Sequence, residues 1–192
     1  RAGKLTNRKK NIDRGKGVFG CALGSLELYE WLDDNHGIAA YPLEYVNRPS
    51  VIAQIDNMVS INSCVAVDLY GQVAAESAGA RQISGTGGQL DFLIGASASR
   101  GGKAFICMSS VHTDRHGGKH SRIKPQFDGD IITSPRSQVY FLATEYGVIN
   151  LEGRSTWERA EALISIAHPD FRDMLVREAQ ERKIWRRSNK RG

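Results

Sequence analysis

Long apolar runs, aromatic residues, proline and cysteine are all scarce in this chain. The longest apolar stretches are strand-sized, such as Val139 to Ala143, far below the ~20 residues of a membrane-spanning helix. No membrane association is therefore expected. Aromatic residues make up 8% of the sequence, and Trp185 is the only one in either of the basic ends. Nucleic-acid binding calls for aromatics interleaved with such charge, or for a recognisable binding motif, and neither is present. Cys21, Cys64 and Cys107 stand apart inside apolar runs. That pattern favours buried thiols in a reducing cytoplasm over disulfides or a zinc site. No apolar leader follows the polar stretch Arg1 to Lys16, and no methionine opens it, so the sequence reads as part of a longer protein.

What is there is ordinary for a globular α/β unit: 192 residues, 41% apolar, 24% charged, with 20 glycines. The net charge of +5 is uneven, with seven basic residues and one acid between Arg1 and Lys16 and a similar excess from Glu181 onward. These ends read as solvated charge, with attraction of an anionic ligand as the alternative. "GVFGCAL" (17–23) and "GIAAY" (37–41) read as strands around a helix that Ser25 would cap. Pro49 suits the first position of a helix over "RPSVIAQIDN". "MVSIN", "CVAVDL" and "QVAAES" are β-rich, and Tyr70–Gly71 would turn the last two into a hairpin. "KAFICMS", "GDIIT" and "QVYFLAT" complete the strand candidates. The last third is helical. Ser155 and Glu158 form an S-x-x-E capping box ahead of Trp157, Ala160, Ile164 and Ala167, and Pro169 opens a second helix with Phe171, Leu175 and Ala179 on one side. No internal boundary is apparent.

Glycine is concentrated in "SGTGGQLDFLIGA" from Ser84 to Ala96. A dinucleotide fingerprint would need its third glycine at Leu90, and a P-loop would need Gly-Lys-Ser/Thr, so both fail. A glycine turn that opens a helix remains. Its backbone N–H groups could bind an anionic or carbonyl oxygen, or the glycines could simply allow a strand to meet a packed helix. His112, His116 and His120 recur every fourth residue, but Gly117 and Gly118 interrupt a helix and no acidic cluster completes a metal site. A mobile polar loop is expected there, and no metal. Asp68 and Glu145 stand beside strand candidates, where either could be catalytic, although a carboxylate capping a turn is the commoner role.

Taken together, "YVNRPSVIAQIDNMVSINSCVAVDLYGQVAAES", "RQISGTGGQLDFLIGA", "SRIKP" and "TEYGVINLEGRSTWERAEALISIAHPDFRD" resemble the acetyl-CoA hydrolase/transferase family, in the manner of its 4-hydroxybutyrate, butyrate and acetate CoA-transferases. The resemblance runs through nearly the whole chain in order and is weakest around "VHTDRHGGKH". It implies a layered αβα domain with a mixed sheet, residues 1–192 being the C-terminal half of a two-domain enzyme. It implies an acyl-CoA:carboxylate CoA-transferase of the 4-hydroxybutyrate or acetate type. A glutamate attacks the acyl-CoA, a glutamyl-CoA thioester forms, and a small carboxylate takes over the CoA. An acetyl-CoA hydrolase and a non-catalytic CoA-binding module are the alternatives. The resemblance further implies that CoA is a substrate rather than a permanently bound cofactor. The N-terminal half of the same enzyme would be a partner, and a homodimer is left open.

Residue by residue, the resemblance places Val65, Ser84, Gly87 and Gly88 on CoA-contacting positions and makes Asn47 of "YVNRP" a support for the catalytic glutamate. That glutamate belongs to an H-[ST]-E motif expected upstream of Arg1. None of Glu27, Glu30, Glu44, Glu76 or Glu145 has that context.

Overall fold

The computed structural model describes residues 5–184; residues 1–4 and the basic segment from Trp185 onward lie outside them. The described residues divide into two compact units, one comprising 5–59 with 94–103 and the other 60–93 with 104–184.

In the first unit, β1 (Gly17–Phe19) and β2 (Ile38–Ala40) pair in parallel, Gly17 opposite Ile38. Between them, α1 (Leu26–Leu32) starts at Ser25 as expected, although the Ser25 side chain makes no capping bond. No residue of α1 is buried, and Leu26 is 72% exposed. The helix expected from Pro49 shrinks to a single turn. That turn is α3 (Pro49–Ile52), and another short helix, α2 (Leu43–Val46), precedes it. The chain is pulled away because Asn57 takes φ 55° and donates its N–H to Arg100 O at 2.8 Å, and Asp56 donates its own to Asn11 Oδ1 at 3.1 Å.

The second unit begins within β3 (Val59–Ser63). β4 (Ala66–Asp68) and β5 (Val73–Ala74) form the expected hairpin, turned at Gly71 with φ 88°. A small hairpin of β6 (Ser77–Ala78) and β7 (Arg81–Gln82) leads into the glycine segment and then α4 (Gln89–Ala98), which continues past Leu93 into the first unit's sequence. After β8 (Lys103–Cys107) comes a further hairpin, β9 (Val111–Thr113) with β10 (Lys119–Ser121), and then β11 (Ile123–Lys124). β12 (Phe141–Thr144) and β13 (Gly147–Asn150) precede α5 (Thr156–Ser165) and α6 (Pro169–Glu181).

Two sheets are mixed, as an α/β fold of this kind requires. β12 runs parallel to β8 and antiparallel to β13 in the order β13-β12-β8-β3, and β4 runs parallel to β11 and antiparallel to β5. Val67, Val73, Ile106, Ile123 and Leu142 from these strands are fully buried, with Leu163 of α5 and Leu175 of α6. Of the sides expected to face inward, Ala160 and Ile164 of α5 and Ala179 of α6 are buried, as is Ala167 between the helices, while Trp157 and Phe171 are half-buried. The capping box closes through Glu158 Oε2, which accepts from Ser155 N–H at 2.8 Å and Ser155 Oγ–H at 2.6 Å.

"GDIIT" is not a strand. Its backbone is drawn elsewhere: Ile131 N–H donates to Ser77 Oγ at 2.9 Å, and Ser134 bridges Val73. Cys64 is buried, and burial pushes its thiol up to about 12, but Cys107 is half-buried and Cys21 is exposed. Among the described residues, no helix is long and apolar enough to cross a membrane.

Candidate functional site

The glycine segment is a turn held at one end by β6 and at the other by α4. Glu76 N–H donates to Thr133 Oγ1 at 3.1 Å, while its carbonyl accepts from Ile83 N–H at 2.8 Å and Ser84 N–H at 3.3 Å. Ser84 is exposed, its Oγ donating to Gly85 O at 3.1 Å and its carbonyl accepting from Gln82 Nε2 at 3.0 Å. Gly87 adopts φ 59°, a left-handed conformation that favours glycine. Helix α4 follows at once: Gly88 O accepts from Phe92 N–H at 3.1 Å, and Gln89 Nε2 donates to the buried Ser134 Oγ at 3.0 Å. Among the described residues, the N–H groups of Gly87 and Gly88 donate to no protein acceptor. Two donors without a protein acceptor at the start of a ten-residue helix are available to an anionic or carbonyl oxygen.

Of the other expected site residues, Val65 lies half-buried just before β4, its N–H donating to Ala74 O at 2.9 Å on the strand that leads to Glu76. Asn47 belongs to the first unit, where it ends α2 with φ −92° and its N–H donates to Leu43 O at 2.8 Å.

The two strand-end carboxylates both organise turns. Asp68 is fully buried; its Oδ1 accepts from Tyr70 N–H and Gln72 N–H at 3.1 and 2.9 Å, and its Oδ2 from Gln72 Nε2 at 2.7 Å. Burial outweighs these bonds and raises its pKa. Glu145 spans from the β12–β13 turn to Ser110, accepting the Ser110 N–H at 2.8 Å and the Ser110 Oγ–H at 2.6 Å. Desolvation pushes Glu145 up, but the Ser110 bonds and nearby donors together leave it below the ordinary carboxylate value. Sequence reasoning did not foresee this pairing. Ser110 and Glu145 are far apart in the chain, and only the parallel β8–β12 register (Phe105 with Phe141) aligns the segments that follow those strands.

The histidine segment is the ordered hairpin β9–β10, where a mobile loop was expected. Asp114 makes the turn: its Oδ1 accepts from His116 N–H at 2.8 Å and Gly118 N–H at 2.9 Å, and its Oδ2 lies 2.8 Å from His120 Nε2. His112 and His120 are cross-strand partners with ring centroids 5.0 Å apart. No group of three or more His, Cys, Asp or Glu among the described residues is arranged to hold a metal. His120 and the two N–H donors hold the Asp114 carboxyl at about 2. Its folded pKa is thus below the unfolded ~3.9, so its contribution is complete above that value and is lost as pH falls toward 2. The turn amides of His116 and Gly118 are therefore expected to lose hydrogen-exchange protection between about pH 4 and 2, and Asp114→Asn, which keeps an acceptor, to flatten that dependence. Unchanged profiles in wild type and variant would refute the role of the pair.

Residues 24–179 match the model of the acetyl-CoA hydrolase/transferase C-terminal domain. The chain is 56% identical over 193 residues to the "Probable butyrate:acetyl-CoA coenzyme A-transferase" of Syntrophomonas wolfei, a match covering 100% of this chain and 43% of that protein. It is 52% identical over 191 residues to the butyryl-CoA:acetate CoA-transferase of Anaerostipes caccae, covering 99% of this chain and 43% of that protein. Among solved structures, RipA from Yersinia pestis is similar at a TM-score of 0.86 and 45% identity, over 94% of this chain and 40% of that one. The chain thus spans less than half the length of these relatives.

Proposed function

Because this chain belongs to the acetyl-CoA hydrolase/transferase family and matches its C-terminal domain, we propose that it supplies part of the coenzyme A site of an acyl-CoA:carboxylate CoA-transferase. The observation that carries this reading is the pair of N–H groups at Gly87 and Gly88, which have no protein acceptor among the described residues. A Cβ on Gly85 or Gly87 would meet nothing within 4 Å. Such a pair of donors suits the carbonyl oxygen of a thioester, where negative charge builds up as a nucleophile attacks. In this reading Val65, Ser84, Gly87 and Gly88 line the CoA side, and Asn47 supports the nucleophilic glutamate.

None of the well-placed carboxylates here suits the nucleophile. Asp68 and Glu145 are bonded through both oxygens, and Glu76 is only 4% exposed. The glutamate would come from the N-terminal half of the same enzyme, and CoA would enter and leave as a substrate. The acyl donor would be a CoA thioester and the acceptor a small carboxylate, in the cytoplasm.

The test is to incubate the intact protein with acetyl-CoA and butyrate, the substrate pair suggested by its relatives, and to follow products by mass. Butyryl-CoA should accumulate in proportion to added butyrate, with little free CoA formed without it. Free CoA released at the same rate with and without carboxylate would make the protein a hydrolase instead.

A further inference from the structure

The first unit has strands and helices but almost no core. None of residues 5–51 is buried, although β1, α1, β2 and α2 all lie among them. The buried residues of the unit are Ile52 of α3, Gly95 and Ala96 of α4, and Ser99 just after it. Apolar side chains are not what is lacking. Leu23 is 95% exposed, and Val18, Phe19, Leu28 and Trp31 are only half-buried. A parallel strand–helix–strand segment normally has both faces of its sheet covered. Here the sheet consists of β1 and β2 alone, with three residues each, and two strands are marginal by themselves. The outer edge of β1 is open. Gly17 N–H donates to Gly37 O at 2.8 Å, and Phe19 O accepts from Tyr41 N–H at 3.0 Å. Residues 17 and 19 therefore face β2, and Val18 between them turns its N–H and C=O the other way. Among the described residues, neither of these Val18 groups meets a partner.

We propose that this edge is an interface for the protein's own chain upstream of Arg1, which adds a strand beside β1 and covers the half-buried apolar residues of β1 and α1. Relatives of this chain are long enough to supply it. Matches spanning 99–100% of this chain cover only 43% of their length, and the matched model is that of a C-terminal domain. Strands that follow one another in sequence are most often neighbours in a sheet, which favours the β1 edge over the β2 edge. A third strand gives Val18 N–H and C=O the partners that backbone groups require on leaving water. Removal of apolar surface from water supplies the main driving force. The interface rests on the greater length of the relatives and not on the coenzyme A site.

The test uses the intact protein. Hydrogen exchange resolved to single residues by mass spectrometry should find the Val18 amide slowed on the order of 100-fold or more relative to an unpaired amide. In a second measurement, Leu23, exposed and just beyond β1, is replaced by the photoreactive p-benzoylphenylalanine, a change that touches no buried group. Irradiation should join it to a peptide upstream of Arg1 in the same chain, so that the denatured product keeps the mass of one chain. A product with the mass of two chains would give the edge to a second copy and overturn the proposal. Cross-links confined to residues from Arg1 onward, or none at all, would overturn it too, as would a Val18 amide exchanging at the unpaired rate. Neither readout involves coenzyme A, so failure of that site and failure of this interface are separately visible.

Discussion

Gly88→Val in the intact protein should abolish transfer or raise the KM for the CoA ester by about 100-fold or more, the scale on which misplaced oxyanion donors act. The fold should survive. Gly88 lies just outside α4, where its carbonyl already accepts from Phe92 N–H and its φ is not among the left-handed ones. An apolar β-branched residue at a helix start costs only about 1 kcal/mol. The damage is to the ligand: a branched Cβ beside the free Gly87 and Gly88 N–H groups occupies the approach that a thioester carbonyl needs. Gly85→Ala is the matched control, since its Cβ would meet nothing within 4 Å and its φ is not left-handed. It should leave kinetics unchanged. A Gly88→Val protein with native circular dichroism and wild-type kinetics would remove this turn from the CoA site.

The largest stability effect is expected at a glycine with no part in that chemistry. A Cβ on Gly102 would lie 2.0 Å from Ala96 O and 2.8 Å from Ser99 Cβ. The oxygen belongs to the last turn of α4 and cannot swing aside as a side-chain tip would. Gly102 is also held there, its N–H donating to Ser99 O at 3.0 Å, directly after Gly101 at φ 72°. Gly102→Ala must therefore unwind the helix end or break that turn, at a cost of about 3–5 kcal/mol, in the range reserved for severe overpacking. Urea unfolding gives the number, and a loss below about 1 kcal/mol would show that the helix end yields. By contrast Gly118→Ala meets Asp114 Oδ2 at 2.7 Å, a side-chain atom already committed to the hairpin turn. That change should be felt locally, in the pH profile of the turn.

The residues that announced themselves in the sequence did so through short-range rules. The capping box at Ser155 and Glu158 needs only a spacing of three, and the proline at 169 only its place at a helix start. Both lie where expected, and the burial of Leu175 and Ala179 follows from helical periodicity. The β4–β5 hairpin was equally readable, because Gly71 supplies a conformation that most residues resist. The histidine segment was misread for the complementary reason. Its glycines spoke against a helix, but its order comes from Asp114, whose two N–H partners and one histidine assemble only once β9 and β10 have paired. Pro49 marked a helix start correctly and could not indicate that tertiary bonds from Asn11 and Arg100 would end the helix after one turn.

By itself, then, the sequence determined the α/β class, the capped C-terminal helices, the glycine turn before a helix and, through extended resemblance, the family. These depend on neighbours in the chain or on long stretches of matching residues. Only the tertiary structure decided which carboxylates are satisfied. Asp68 is bonded by its own turn, Glu145 by Ser110 from 35 positions away, and Glu76 through Oε2 by nothing among the described residues. All three are acids beside β-rich stretches and look alike when read in order. They differ because the energy of a charge depends on the donors and the dielectric around it, and sheet pairing between distant segments sets both.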